Sequence, residues 1–267
     1  MNRERQELED KGLTRLDYRI EDSVVAPIRE RILQKLSESK SSNQQGNAKS
    51  AKVKNLSKNK NIMGPLISQA LTEKLNELVN HRALVRSPPH HQILLTLPYQ
   101  KIMGGQCTNW EIPSNVWHTD VPRAKSLGIP GIQIFVFLDQ VKSRSGGTLL
   151  VEGTHRLLNN HAHMSSKRFK QLLKREPYFN NLMNNQKPNL DNLLTEYNQV
   201  EGVPVKVTEL TGQPGEVFVA DLRLLHTLSD NASSQTRIMM TQRFFFEDRR
   251  EMLEHLWSGK ALQTPAS

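Results

Sequence analysis

Apolar residues follow two rhythms along this chain, and the rhythm changes near residue 92. Before it, VVAPIRERILQKLSE (24–38) carries apolar side chains at helical spacing, and Leu66, Leu71, Leu75 and Leu78 give a second helix. After it the apolar runs are short, often β-branched or aromatic, and bounded by Gly, Pro, Asn or Asp. They are ILLTLPY (93–99), GIQIFVFLD (131–139), GGTLLVEG (146–153), VPVKVTEL (203–210), EVFVADL (216–222) and RIMMTQRFFFE (237–247). Strands at that spacing, mostly without helices between them, predict an antiparallel barrel or jelly roll with helical flanks rather than a doubly wound sheet. One interruption, 155–200, reads as helices and polar loops, and so long a segment inside a barrel is expected to serve as a lid or a flank over the mouth. The expected organisation is one domain over 1–267. It comprises a helical flank 1–92, a β core 93–247 and the helical lid-like insertion 155–200.

Composition changes this picture little. The chain has 267 residues, enough for one large domain. Its net charge of +9 is concentrated: from Lys35 to Lys60 seven lysines face one acid, Glu38, which leaves +6 in that stretch. Serine, asparagine, glutamine and lysine dominate there and cannot bury enough apolar surface to offset chain ordering, so 39–61 is predicted to be a flexible solvated segment. The remainder is only mildly basic, which argues against nucleic acid as a partner. A single cysteine, Cys107, excludes an internal disulfide and a cysteine-rich zinc knuckle. The N-terminal MNRERQELEDKG lacks an apolar leader core, and no apolar run is long enough to cross a bilayer. A soluble cytoplasmic protein without membrane contact is expected.

The chemistry begins at VWHTDVPR (116–123). In an H-x-D pair on a strand end, His118 and Asp120 point to one side and Thr119 to the other. His226 follows the candidate strand EVFVADL. Two imidazoles and one carboxylate on one face of an octahedral ion leave adjacent positions open, the arrangement of non-heme Fe(II) oxygenases. Eleven residues on, Arg237 opens the last strand, and its planar fork matches the distal carboxylate of 2-oxoglutarate. The full pattern, H-x-D followed by H-x10-R, is far more specific than its parts.

With those residues in place, the sequence resembles the phytanoyl-CoA dioxygenase family of Fe(II)/2-oxoglutarate oxygenases from about Leu94 to Glu247. FLDQVKSRSGGTLLVEGTHRL (137–157) is similar to the family's strand, glycine turn and "PGSH"-like corner, here Glu152-Gly153-Thr154-His155 without the usual proline. GQPGEVFVADLRLLH is similar to the stretch that delivers the second iron histidine. The resemblance implies a double-stranded β-helix (jelly-roll, cupin-like) core with helical flanks. It implies iron ligands His118, Asp120 and His226, with Arg237 as the 2-oxoglutarate clamp. It also implies a reaction that turns 2-oxoglutarate and O2 into succinate and CO2 while a small-molecule substrate is oxidised. The family's chlorinating relatives replace the carboxylate ligand with a small residue; Asp120 therefore points to hydroxylation or oxidative dealkylation.

Further positions are candidates on weaker grounds. Gln133 and Thr148 are polar residues on apolar strands, and Gln106 lies shortly before the iron pair; all three are expected to reach the co-substrate. Asn109, Trp117, Arg123 and Arg243 are candidates for the primary substrate, the two arginines for an anionic one. His155 is expected to orient its corner rather than bind metal, and His161 with His163 to form a surface pair. A small polar metabolite in a biosynthetic tailoring step is the expected substrate, with an acyl-CoA as the alternative. RIMMTQR (237–243) is close to the R-x-N-x-T-x-R signature of alkylation-repair dioxygenases, but Met239 replaces its asparagine. A metal- or ligand-binding barrel without turnover is the rival outside catalysis.

Overall fold

The computed structural model describes residues 2–38, 53, 55–98, 110–125, 128–161, 163–184 and 190–258. Its strands are β1 (Leu13–Arg19), β2 (Leu84–Arg86), β3 (Gln92–Thr96), β4 (Gly131–Phe137), β5 (Thr148–Glu152), β6 (Asn198–Val200), β7 (Val203–Glu209), β8 (Glu216–Asp221), β9 (Leu225–Leu228) and β10 (Arg237–Phe246). They form two antiparallel sheets. The larger runs β1-β8-β4-β10-β2, with β3 also paired to β10; the smaller runs β6-β7-β5-β9. Between them lies a core of Leu13, Phe135, Phe137, Leu150, Leu210, Leu224 and Met239. This is a jelly-roll core with helical flanks.

Alternation decides which residues see that interior. On β4, Phe135 and Phe137 face inward, while Ile132, Ile134 and Val136 join an outer cluster with Ile28 and Ile32 of α2 (Asp22–Glu38) and Leu71, Leu75 and Leu78 of α3 (Gln69–Leu78). Helices thus cover the far face of the large sheet, so β4 is buried at every position and reads as a continuous apolar run. By the same alternation Arg237, Met239, Thr241 and Arg243 of β10 face inward.

One expectation is corrected. The stretch 1–92 is not wholly helical: after α1 (Arg3–Lys11), β1 pairs with β8 in the large sheet, and β2 pairs with β10. In LTRLDYR the exposed Arg15, Asp17 and Arg19 alternate with Thr14, Leu16 and Tyr18, a period-2 pattern with a single aliphatic residue on its more buried side. The insertion 155–200 packs as a layer on the small sheet. Phe169 and Leu173 of α4 (Ser166–Leu173), Phe179 and Leu182 of α5 (Pro177–Leu182) and Leu193 of α6 (Leu190–Thr195) cluster with Leu149, Val151, Val205 and Val207 on the outer face of the small sheet. Much of 39–61 lies outside the described residues, but Val53 and Leu56 are buried, so that segment ends in an anchor. A last helix, α7 (Glu247–Ser258), sets Leu253 and Leu256 against Val121, Ala124, Leu222 and Phe245. Among the described residues no helix is long and apolar enough to cross a membrane.

Candidate metal centre

His118 and His226 stand opposite each other as an isolated antiparallel pair beyond the small sheet. Each donates its backbone N–H to the other's carbonyl, at 3.0 and 2.9 Å, and their rings are 4.3 Å apart between centroids. His226 is in register with Leu150, which places it on the interior face. Asp120 follows two residues after His118 and shares its side. The imidazole and carboxylate ligand atoms of the three all lie within 4.8 Å of one another; among the described residues, no other group of three or more His, Cys, Asp or Glu converges in this way.

The tautomers are fixed by the backbone. His118 Nδ1 lies 3.0 Å from the Val116 carbonyl and His226 Nδ1 lies 3.0 Å from the Leu224 carbonyl. A carbonyl can only accept, so each Nδ1 carries the proton and each Nε2 keeps a lone pair for a metal. Val116 reaches its position at φ 50°, a left-handed conformation that costs a β-branched residue about 1–3 kcal/mol. Trp117 N–H closes that turn on the Asn115 carbonyl at 2.6 Å. Burial pushes His226 below its ordinary pKa, with His118 and Arg243 adding to the effect and Asp120 opposing it; the ring is held neutral, as ligation requires.

Asp120 completes the set. Its Oδ1 accepts from Arg243 Nη1 at 3.1 Å, while its Oδ2 is buried without a hydrogen-bond partner, 3.8 Å from His226 Nε2. An orphaned buried carboxylate oxygen is costly unless a cation satisfies it. Two free Nε2 lone pairs and that oxygen fit a divalent ion with open positions. On the other side of the strand Thr119 N–H donates to Ser166 Oγ at 3.1 Å, which ties the ligand segment to the start of α4.

Arg237 lies deeper, 2% exposed. Its Nε donates to the Gly146 carbonyl at 2.7 Å and its Nη2 to Thr96 Oγ1 at 2.5 Å, and it makes no ion pair among the described residues. Burial lowers its pKa to about 10. Thr148, two residues beyond Gly146, faces the same interior with a buried Oγ1 that has no partner. Thr96 had no signal in the sequence, because its role depends on β3 pairing with β10.

The remaining candidates divide. Gln133 faces inward, and its Nε2 donates to Thr241 Oγ1 at 2.9 Å, which donates in turn to the Ile134 carbonyl. Trp117 is 1% exposed in the cluster outside the small sheet, and its Nε1 donates to the Pro113 carbonyl. Arg123 lies over the Phe169 ring at 3.7 Å and donates to the carbonyls of Thr154, His155 and Arg223 and to Asn159 Oδ1. Its place is thus a corner behind the site. His155 belongs to that corner, with Nε2 2.9 Å from the Glu9 carbonyl. Gln106 and Asn109 lie outside the described residues.

Comparison with solved structures agrees with this architecture. EvdMO1 superposes with a TM-score of 0.55 at 16% identity over 91% of this chain and 49% of its own; this chain spans about half of its length. SnoK, a non-heme alpha-ketoglutarate-dependent carbocyclase from nogalamycin biosynthesis, gives 0.57 at 13% over 92% and 84%. EctD from S. alaskensis, solved with 2-oxoglutarate and 5-hydroxyectoine, gives 0.57 at 14% over 94% and 77%. At such identities the likeness establishes the fold alone. No protein-family model matches the chain, and no curated protein matches it in sequence.

Proposed function

We propose that this protein is a cytoplasmic non-heme Fe(II)- and 2-oxoglutarate-dependent dioxygenase that hydroxylates, or oxidatively dealkylates, a small polar metabolite. The observation that carries the reading is the convergence of His118, Asp120 and His226, with both Nδ1 atoms occupied by carbonyls and one carboxylate oxygen orphaned. Bound there, iron would supply dioxygen activation coupled to decarboxylation of the keto acid. The chain's own part is to bind and orient. His118, Asp120 and His226 would hold the metal, and Arg237, a buried guanidinium without a carboxylate, would take the distal carboxylate of 2-oxoglutarate beside Thr148. The resemblance of residues 94–247 to the phytanoyl-CoA dioxygenase family supports the same assignment, as does the fold shared with SnoK and EctD, whose descriptions name alpha-ketoglutarate and 2-oxoglutarate.

The test is direct. Purified protein with Fe(II), ascorbate, 2-oxoglutarate and air is expected to form succinate slowly without substrate and faster when a substrate from a metabolite extract is added. Tight iron binding with no succinate under any extract would leave a binding barrel and reject the oxygenase.

A further inference from the structure

Two arginines share the inner face of β10, and the structure treats them differently. Arg237 is fully enclosed, whereas the Arg243 side chain is 23% exposed and therefore reachable from solvent. Arg243 is also rigidly placed. Its backbone pairs with Gln133 on β4, and its carbonyl accepts from Ser87 N–H at 3.1 Å. Among the described residues only one of its nitrogens touches Asp120, through the single 3.1 Å contact from Nη1, and its buried Nε has no partner. A guanidinium offers five N–H donors in a fixed fork, so one contact to Asp120 leaves an edge able to grip a second carboxylate.

Charge points the same way. Asp120 is the only acid acting on the His226 imidazole among the described residues. A divalent metal, Arg237 and Arg243 set against Asp120 and a dianionic keto acid leave one positive charge over. Excess positive charge in a partly enclosed site attracts an anion. Arg123, the other arginine near the ligand segment, is taken up by carbonyls and an aromatic face and cannot serve.

We propose that Arg243 is the carboxylate receptor for the primary substrate, gripping it beside the metal with the guanidinium edge that Asp120 leaves free. This rests on the metal centre proposed above, and it makes the substrate class a monocarboxylate. Arg243 is then a specificity residue that also steadies a metal ligand.

The experiment uses the full chain loaded with Zn(II) and N-oxalylglycine, an unreactive analogue that fills the keto-acid position. Propionate, butyrate and hexanoate are titrated against their primary amides and followed by saturation-transfer NMR. The wild type is expected to favour the acids by about tenfold or more, the worth of a charge-assisted hydrogen bond. Arg243→Met is expected to erase that preference. Arg243→Lys, which keeps a cation on Asp120 if the methionine variant fails to load metal, is expected to lose most of it. A wild type without preference, or a preference that survives both substitutions, overturns the assignment. If N-oxalylglycine affinity alone drops in the variants, the guanidinium serves the co-substrate and the proposal fails on that account. A wild type that binds neither Zn(II) nor N-oxalylglycine sinks the metal-centre reading, and this inference with it.

Discussion

Two polar regions are buried in this molecule, and they differ in how completely they are satisfied. In the corner behind the site, Asp221 accepts three hydrogen bonds from Arg223, from its backbone N–H, Nε and Nη2, at 2.8, 3.0 and 2.7 Å. Arg123 fills the space beside them with four oxygen contacts and an aromatic face. Two atoms there lack partners, Arg123 Nε and His155 Nδ1, and the latter has no room for one. A Cβ on Gly12 would come within 2.5 Å of it. At the candidate metal centre more is left open among the described residues: Asp120 Oδ2, Thr148 Oγ1 and Arg243 Nε lack partners, and Arg237 is a cation without an anion. A largely satisfied polar network reads as architecture, because most of its groups already offset their own desolvation. An orphaned one reads as a site, because something else must complete it.

The largest contrast is expected from the two aspartates. Asp120→Ala should reduce succinate formation to background while changing folding stability by no more than about 1 kcal/mol, since its partner Arg243 still reaches water. Asp221→Ala should do the opposite. Burial alone would push the Asp221 pKa up, but Arg223 outweighs it and holds the carboxyl below its usual range, so the pair is charged. Removing the acid strands Arg223, at 9% side-chain exposure, and should cost about 3–5 kcal/mol in urea unfolding. Equal effects of the two substitutions on stability would erase the distinction.

The sequence made the site more legible than the frame around it. His118, Asp120 and His226 stand out because metal ligation needs particular residue types, and an alternate-residue pair on a strand leaves few arrangements. The strands β4, β5, β7, β8 and β10 were legible for a related reason, since their apolar runs are bounded by turn residues. β1 was not, because Leu16 is the one aliphatic side chain among its alternating, more buried positions Thr14, Leu16 and Tyr18. β9 carries His226 itself, yet its four residues are too short to show a period. The corner was hidden too: Arg123 and Arg223 look like any surface arginine until residues far apart in sequence close around them. The difference in burial between Arg237 and Arg243 depends on the depth of each along β10, which no local pattern encodes.

Acid should destabilise the fold through two buried histidines, His155 of the corner and His91 just before β3. Burial lowers His155 below its ordinary pKa, and burial with help from Arg86 and His90 lowers His91 to about 4 from 6.5. Between those two values the unfolded chain binds the His91 proton and the folded one does not. The contribution of His91 is therefore complete above pH 6.5, declines as pH falls toward 4, and is lost below that, about 3 kcal/mol in all. Urea midpoints at pH 7 and pH 4.5 measure it, and His91→Gln should flatten the difference. An unchanged pH slope in that variant would mean that His91 is not the group responsible.

The smallest effect should separate the two buried arginines. Arg123→Met takes the donor from the Arg223 carbonyl and one of two donors from each of the Thr154 and His155 carbonyls, so it should destabilise the fold in either the presence or absence of ligands. Arg237→Met removes a desolvated cation that has no carboxylate partner and whose place is filled by a chain of similar volume; burying that charge was itself unfavourable. Its unfolding midpoint should fall less than that of Arg123→Met, because relief of the buried charge offsets the donors lost by the Gly146 carbonyl and Thr96 Oγ1. The concentration of 2-oxoglutarate needed for half-maximal succinate formation should climb by about tenfold to a hundredfold, roughly 1.4–2.7 kcal/mol. An equal drop in stability with unchanged 2-oxoglutarate dependence would place Arg237 with Arg123 among the arginines that hold the fold, and the clamp would have to be sought elsewhere on the inner face.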